Sequence, residues 1–170
     1  MPDITFMSGL PGGGKSTLID QEGGDYQLIC PDDLRLAWGH VYHQPLEPMV
    51  HAVCGAITRA AMLRGRDIVV DECFTKLERL QPFLEMAKEF GYETRIVVLT
   101  TPVDVCIQRC LGLDRNDGHP WEDIIYKKAM QFVTDWPVIV REFNAPEDVL
   151  GWPYTPDTLV EDIEYTYELF

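Results

Sequence analysis

Nine residues near the start of the chain have the composition of a loop that holds phosphate groups. Residues 9–17 read Gly-Leu-Pro-Gly-Gly-Gly-Lys-Ser-Thr and fit the pattern G-x-x-x-x-G-K-[ST]. Glycine tolerates positive φ and lets backbone N–H groups approach an anion without a Cβ in the way. Lys15 would bring a charge to the β- and γ-phosphates, and the Ser16 hydroxyl would be a ligand of Mg²⁺. The nucleotide-binding candidates are therefore Gly9, Pro11, Gly12, Gly13, Gly14, Lys15, Ser16 and Thr17.

A second polar group, Pro31-Asp32-Asp33-Leu34-Arg35, follows a short β-prone run at residues 26–30. In an open parallel sheet, the residues just after the strands face the ligand crevice. Asp32 could there accept the proton of an attacking hydroxyl, and Arg35 could clamp a phosphate on the acceptor. The alternative is that Asp32 and Asp33 only cap a helix. The sequence leaves both interpretations open.

Two further features favour phosphoryl transfer. Asp71 and Glu72 end an apolar run in the position of a Walker B acid, where Asp71 would hold Mg²⁺ through water or orient the acceptor. Arg109 and Arg115 suit a lid over about residues 109–121 that neutralises charge on the transferred group. The alternatives are a solvated strand-end carboxylate and two surface arginines.

Strand-like and helix-like segments alternate along the chain, which predicts an α/β fold with a parallel sheet. A strand, the glycine loop and a helix occur in the order that a phosphate loop needs, which argues against a chance glycine-rich turn. Thr75 and Glu78 form a capping-box pattern, and Pro82 suggests a separate first turn in the helix that follows. The predicted strands cover residues 4–8, 26–30, 67–71 and 94–100, and the predicted helices cover 15–20, 31–39, 45–64, 75–90, 103–111 and 121–132. Residues 138–140 fit either a strand or a helix, and residues 156–170 suggest a terminal helix.

The length of 170 residues predicts one domain, and the net charge of −14 argues against broad adhesion to nucleic acid or anionic membranes. The segment from about residue 135 to 170 carries nine acidic residues and one basic residue, which we interpret as a solvated surface. No apolar run is long enough to span a membrane and no signal peptide is evident, so we expect a cytoplasmic protein. The five cysteines are expected to be buried thiols, because Cys106 and Cys110 have no further ligand at metal-site spacing.

Over residues 4–132, the order and spacing of these motifs resemble the bacteriophage-type polynucleotide 5′-hydroxyl kinase family. Its wider relatives include zeta-toxin-like and small-molecule P-loop kinases. The resemblance implies a P-loop kinase domain that uses ATP, or another nucleoside triphosphate, together with Mg²⁺. It implies that Asp32 is the general base and that Arg35 binds the acceptor strand's phosphate. Asp71 would be the strand-end aspartate, and Arg109 and Arg115 the lid arginines.

The chain departs from that family in three respects. Family members often have Asp-Thr-Asn where this chain has Asp71-Glu72-Cys73, and the lid spacing is longer here. A phosphatase signature of the Asp-x-Asp-Gly-Thr kind is missing, so an enzyme with both activities is not expected.

Three functions are therefore weighed. The first is phosphoryl transfer from ATP to a nucleic-acid hydroxyl, above all a 5′-OH end of DNA or RNA. The second is a kinase of a small molecule, a nucleoside or nucleotide, or a hydroxylated DNA base, which needs no basic groove. The third is a non-catalytic, nucleotide-gated interaction protein. The acidic composition weighs against the first, because a strand needs a confined positive groove.

Overall fold

The computed structural model describes residues 1–40, 42–112, 120–142 and 166–169. Its sheet has the order β2-β3-β1-β4-β5. The strands are β1 (Asp3–Gly9), β2 (Gln27–Ile29), β3 (Ile68–Asp71), β4 (Glu93–Leu99) and β5 (Thr166–Leu169). The first four run parallel, and β5 pairs antiparallel with β4. The predicted α/β fold with a parallel sheet flanked by helices is confirmed.

Six α-helices connect or follow these strands in the described residues. They are α1 (Lys15–Glu22), α2 (Pro31–Ala37), α3 (Glu47–Met62), α4 (Leu77–Phe90), α5 (Val103–Gly112) and α6 (Trp121–Glu142). A short 3₁₀ helix at Gln44–Leu46 precedes α3. Within the described residues, none of the helices has the length and apolar composition that crossing a membrane requires.

Beyond residue 135, the described residues settle one open alternative and contradict one prediction. Residues 138–140 belong to α6, and residues 166–169 form β5 rather than part of a terminal helix. Strand β5 exists because the exposed edge of β4 offers backbone partners, with Ile96 opposite Leu169 and Leu99 opposite Thr166. Such a partner, about seventy positions away in the chain, leaves no local sequence signal.

The predicted capping box at the start of α4 is wrong. The helix begins at Leu77, and its N-cap residue makes no side-chain capping bond. Instead, the Leu77 N–H donates to Asp135 Oδ2 at 3.1 Å, and the Thr75 hydroxyl lies 3.1 Å from Gln131 Oε1. A carboxylate from α6 therefore satisfies a backbone donor at the start of α4, and Thr75 does not act as the cap.

The expected break at Pro82 and the capping role of Asp32 or Asp33 are also wrong. Helix α4 runs unbroken through Pro82, which lies on its exposed side, so water can reach the carbonyl that loses its partner.

Helix α2 has Pro31 at its first position and Cys30 as N-cap, without a side-chain capping bond. Asp32 and Asp33 therefore lie in the first turn of α2. Their negative charges interact favourably with the helix dipole, but neither side chain makes a capping hydrogen bond.

Three phenylalanines hold the segment after β3 against the sheet. Phe6 of β1, Phe74 and Phe83 of α4 pack edge to face, with ring centroids 5.5–6.1 Å apart. Phe74 has a φ of 39°, in the left-handed region that costs a non-glycine residue about 1 kcal/mol. Its fully buried ring keeps the backbone there. The packing therefore fixes the residues between Asp71 and α4, which border the candidate site.

Candidate functional site

The glycine-rich loop links β1 directly to α1, as a phosphate loop requires. Gly9, Gly12 and Gly14 have φ values of 148°, 76° and 97°, which favour glycine. Space is also lacking at two of them. A Cβ on Gly9 would lie 2.9 Å from the Leu99 carbonyl oxygen, and a Cβ on Gly12 would lie 2.7 Å from that of Cys106. The loop is thus shaped by its own backbone and by close packing against β4 and α5.

Lys15 is buried at the start of α1 and turns back into the loop. Its Nζ donates to the carbonyl oxygens of Gly9 at 3.2 Å and Leu10 at 3.0 Å, and it lies 3.8 Å from Cys73 Sγ. These contacts hold the ammonium group inside the loop. Its charge is therefore available to a phosphate bound there.

Ser16 and Asp71 form the polar pair beside this loop. The Ser16 hydroxyl donates to Asp71 Oδ2 at 2.7 Å. Because β1 and β3 are neighbouring parallel strands, with Met7 opposite Asp71, the end of β3 reaches the first turn of α1. A hydroxyl and a carboxylate are hard oxygen ligands, and Mg²⁺ at nucleotide sites takes few protein ligands besides phosphates and water. This donor set fits Mg²⁺.

Two contacts that the sequence analysis did not anticipate fix the loop from outside. Thr101, just after β4, donates from its hydroxyl to the Gly13 carbonyl at 2.7 Å. The backbone N–H of Gly9 donates to the Cys73 carbonyl at 3.1 Å, across from β1 to the segment after β3. Both join residues more than sixty positions apart, so no local pattern could have predicted them.

Arg109 reaches the loop from α5. Its Nη1 donates to the Gly12 carbonyl at 3.3 Å, and it is the predicted lid arginine that the structure brings to the site. Arg115 and most of the predicted lid lie outside the described residues. Cys106 and Cys110 are buried cysteines close to Gly12, and burial raises the pKa of Cys106 to about 12. Both cysteines therefore act as packing residues.

Helix α2 places Asp32 and Arg35 one turn apart at the carboxyl end of β2. The Asp32 side chain is 73% exposed, and its Oδ1 accepts from Arg35 Nη1 at 2.5 Å. Arg35 also donates through Nε and Nη2 to the two carboxylate oxygens of Glu47, at 2.9 and 2.6 Å. The arginine therefore carries two carboxylate partners, and its planar fork fixes their positions.

Glu47, the first residue of α3, is a site residue that the sequence analysis missed. Burial opposes its ionisation, but the hydrogen bonds and charge of Arg35 outweigh that effect and lower the pKa of the carboxyl. His51, one turn along α3, lies 3.5 Å from Glu47. Burial and the charge of Arg79 lower the pKa of His51. The only available sequence signal was an acidic residue in the first turn of a helix, which is common.

Glu72 follows Asp71 directly, just after the end of β3. It is half-buried, and burial raises the pKa of its carboxyl. The charges of Arg79, Lys128 and Arg35 oppose that rise, whereas the charge of Asp32 adds to it. The pKa of this carboxyl thus responds to charges on α2, α4 and α6, although the sequence analysis assigned no role to Arg79 or Lys128.

Comparisons with known proteins agree with this architecture. The family described as an AAA domain (AAA_33) matches residues 4–122. A chain of the Pnkp1/Rnl/Hen1 RNA repair complex has 20% identity and a TM-score of 0.69, over 81% of this chain and 46% of that one. A gluconokinase from Sinorhizobium meliloti 1021 has 19% identity and a TM-score of 0.51, over 76% and 74% of the two chains. The tunicamycin resistance protein of Deinococcus radiodurans has 20% identity and a TM-score of 0.51, over 79% and 85%.

These structural likenesses show the fold alone. The chain spans less than half the length of the RNA repair protein chain that it matches. No curated protein sequence matches it. The finer resemblance to bacteriophage-type polynucleotide kinases stays a prediction.

Proposed function

Because this chain belongs to the AAA domain family, with a phosphate loop inside the matched region, we propose that it is an ATP-dependent kinase. It transfers the terminal phosphoryl group of ATP, or another nucleoside triphosphate, to a hydroxyl group. The acceptor in this proposal is a nucleic acid, specifically a 5′-OH end of DNA or RNA.

One observation carries the proposal. The order β2-β3-β1 puts three strand ends side by side at one edge of the sheet: the Asp32 helix, then Asp71, then the phosphate loop. Neighbouring strands lie about 4.8 Å apart, so the strand ends that lead to Asp32 and to the loop are about 10 Å apart. That separation leaves room for a triphosphate and an acceptor hydroxyl between them. It also favours the reading of Asp32 as a base at the crevice.

The proposed reaction follows from these positions. The loop amides and Lys15 hold the phosphates of the donor. Ser16 and Asp71 would hold Mg²⁺, which when bound neutralises charge on the phosphate oxygens. Asp32 accepts the proton of the acceptor hydroxyl while the oxygen of that hydroxyl bonds to the terminal phosphorus. The bond from that phosphorus to the bridging oxygen breaks, and the nucleoside diphosphate leaves.

The arginines act around this step. Arg35 holds the Asp32 carboxylate toward the acceptor as a positioning residue. Arg109, anchored on the loop at Gly12, offsets charge on the transferred group. Arg115 is assigned the same role from the sequence only. The Asp71 contact with Ser16 supports a metal role for this carboxylate rather than the acceptor role that the sequence left open.

A kinase of a small hydroxylated molecule is the second candidate, and one observation favours it. Arg35, the residue that the resemblance assigns to the acceptor phosphate, already pairs with both Asp32 and Glu47. A neutral acceptor would not need that charge. Neutral candidates include a nucleoside, a hydroxylated DNA base and other small alcohols, whereas a nucleotide, the remaining member of this class, carries a charge that this observation does not favour.

The replacement of Asp32 by asparagine tests the proposal. Asp32→Asn should leave ATP affinity nearly unchanged and lower phosphoryl transfer by about 10²- to 10⁴-fold, because the base is lost and the phosphate loop is intact. Labelled phosphate transfer from ATP is measured on a 5′-OH oligonucleotide and on a panel of nucleosides, beside calorimetric ATP binding. Asp33→Asn, an equal change on the neighbouring residue, is the matched control.

The outcomes separate the candidates. Transfer to the oligonucleotide, weakened by salt, supports the nucleic-acid acceptor, because strand binding releases counterions. Transfer to a nucleoside alone supports the second candidate. Normal transfer by Asp32→Asn would reduce this residue to a structural role. Nucleotide-dependent binding of a partner protein, without transfer to any acceptor, would point to the non-catalytic alternative.

A further inference from the structure

The position of the Asp32 carboxylate depends on its partner Arg35. The Asp32 side chain is 73% exposed, and its Oδ1 accepts a hydrogen bond from Arg35 Nη1, one turn along α2. An exposed ion pair within one helix contributes little by itself, because water and side-chain entropy compete with it. A general base has to be held within about 0.5 Å of its productive position. Arg35 can hold Asp32 there only if its guanidinium group is itself fixed.

Glu47 fixes that guanidinium group. Its two carboxylate oxygens accept from Arg35 Nε at 2.9 Å and from Nη2 at 2.6 Å, which is the bidentate geometry of an arginine with a carboxylate. Both side chains are largely buried, with 14% of Arg35 and 12% of Glu47 exposed. Solvent therefore weakens this pair less than it weakens the exposed pair of Arg35 with Asp32. The orientation of the Arg35 side chain is thus set from α3, although α2 carries the residue.

Two further contacts restrict the pair of Arg35 with Glu47. The guanidinium group lies over the ring of Tyr42, 5.9 Å from its centroid, so an aromatic face limits its movement. His51, one turn along α3, has its Nε2 3.5 Å from Glu47 Oε2. Glu47 itself lies in the first turn of α3, where the helix dipole favours a carboxylate. The carboxylate that holds Arg35 is therefore held in turn by its own helix.

The donors of Arg35 are divided between its two partners. Nε and Nη2 bind Glu47, which leaves Nη1 for Asp32 Oδ1. With Oδ1 bound, Oδ2 is the Asp32 oxygen that would take up the proton of the acceptor hydroxyl in the proposed reaction. Without Glu47, the planar fork of the guanidinium group could bind both oxygens of Asp32. Glu47 therefore keeps Arg35 from covering the oxygen that the reaction needs.

We propose that Glu47 is a positioning residue, which orients the general base Asp32 through Arg35. This inference rests on the proposed kinase function and adds a residue to its acceptor side. Glu47 would contact neither the acceptor nor the nucleotide. Its removal should therefore lower kcat, because Asp32 loses its orientation, and should leave the affinity for both substrates little changed.

Substitution of Glu47 tests this role. Labelled phosphate transfer from ATP is measured to a 5′-OH oligonucleotide or a nucleoside, whichever the unmodified protein phosphorylates. Glu47→Ala should lower kcat by about 10²-fold, because a misplacement of about 1 Å has an effect of that size. Glu47→Gln keeps one acceptor for Arg35 and should lower kcat about tenfold. The KM for the acceptor should change little, and the affinity for ATP, measured in each variant, reports whether the protein is folded.

The pair of Arg59 with Glu89 provides a matched control. Arg59 donates through Nη1 and Nη2 to the two oxygens of Glu89, at 3.1 and 2.5 Å, and its guanidinium group lies 5.0 Å from the centroid of the Phe90 ring. Arg59 is more than three turns further along α3 than Glu47. Glu89→Ala removes a comparable bidentate pair there and should leave kcat unchanged. A fall in kcat as large as that of Glu47→Ala would show a general effect of lost ion pairs and would overturn the inference.

The double variant with Asp32→Asn shows whether Glu47 acts through the base. In that background, Glu47→Ala should change the residual transfer rate by less than about twofold, because the base that Glu47 orients is already lost. An effect on folding or on the phosphate loop would lower the rate by the same factor with Asp32 present or absent. Equal factors in the two backgrounds, or a raised KM with an unchanged kcat, would therefore contradict the positioning role.

The inference and the kinase proposal fail in different ways. An unchanged kcat in Glu47→Ala, with the unmodified protein active, would remove the positioning role while the kinase stands. If the unmodified protein transfers phosphate to no hydroxyl compound, the kinase proposal falls and the role of Glu47 falls with it.

Discussion

The two sides of the crevice are built in different ways. On the donor side, residues 9–16 form the phosphate loop from one continuous stretch of backbone, with Lys15 hydrogen-bonded inside it. On the acceptor side, Asp32, Arg35, Glu47 and Glu72 come from three separate segments. A triphosphate is recognised by backbone amides that many sequences can supply. In the proposed function, an acceptor would be recognised by side chains from these separate segments.

The charges of the two sides differ as well. The donor side presents Lys15 and Arg109 to an anion, and its one carboxylate, Asp71, is bonded to Ser16. On the acceptor side, the cation of Arg35 lies between the carboxylates of Asp32 and Glu47. In the proposed function, the donor side would therefore accept any nucleoside triphosphate, while the acceptor side would discriminate by the placement of each charge.

The largest effect is expected on the donor side. Lys15→Ala should lower kcat/KM by about 10³-fold and weaken ATP binding, because the charged group that faces the phosphates is lost. Calorimetric titration with ATP and measurement of ADP release check both parts. Asp32→Asn, on the acceptor side, should affect transfer alone. Loss of ATP affinity in both variants to the same extent would contradict the division between the two sides.

A pair of glycines with the same backbone angle gives a sharper contrast. Gly12 on the donor side and Gly39 at the end of α2 both have a φ of 76°. Gly39→Ala should cost about 1 kcal/mol from backbone strain, because nothing lies within 4 Å of the new Cβ. Gly12→Ala should cost about 3 kcal/mol or more and weaken ATP binding, because strain and displacement of the Cys106 carbonyl add together. Urea unfolding and ATP titration measure the difference, and equal costs would show that packing does not shape the loop.

The acceptor side should respond to pH through Glu72. Its folded-state pKa is raised above the unfolded value of 4.5, mainly by burial. A protonated Glu72 therefore favours the folded state below pH 4.5, and this contribution is lost as the pH rises through the folded pKa. Glu72→Gln should raise the free energy of unfolding by about 1 kcal/mol at pH 7.5 and leave it unchanged at pH 4. Melting curves at the two pH values check this, and a gain at pH 4 alone would reverse the assigned sign.

The smallest effect on stability is expected where α6 contacts the start of α4. Asp135→Ala should cost about 1 kcal/mol, because the Leu77 N–H loses its acceptor. Glu78→Ala, at the position of the wrongly predicted capping box, should cost less than about 0.5 kcal/mol. Chemical denaturation of both variants provides the comparison. A larger cost for Glu78→Ala than for Asp135→Ala would restore the local capping box in place of the Asp135 cap.

The accuracy of the sequence predictions follows the same division. The strand, the glycine loop and helix α1 could be predicted because their signals lie within about twenty residues and come from backbone requirements. The parallel sheet could be predicted from the alternation of apolar runs and helices. Glu47, Thr101 and the Asp135 cap could not be predicted, because each acts on a partner distant in the sequence. Strand β5 escaped prediction for the same reason.

The sequence alone determined that this chain has a phosphate loop, a parallel sheet to support it and polar residues at three strand ends. Local backbone geometry and the period of apolar residues encode all three. Only the tertiary structure decided which polar groups meet: Arg35 with Glu47, and Asp71 with Ser16. Side-chain contacts depend on how distant elements pack, and a one-dimensional pattern does not record that packing.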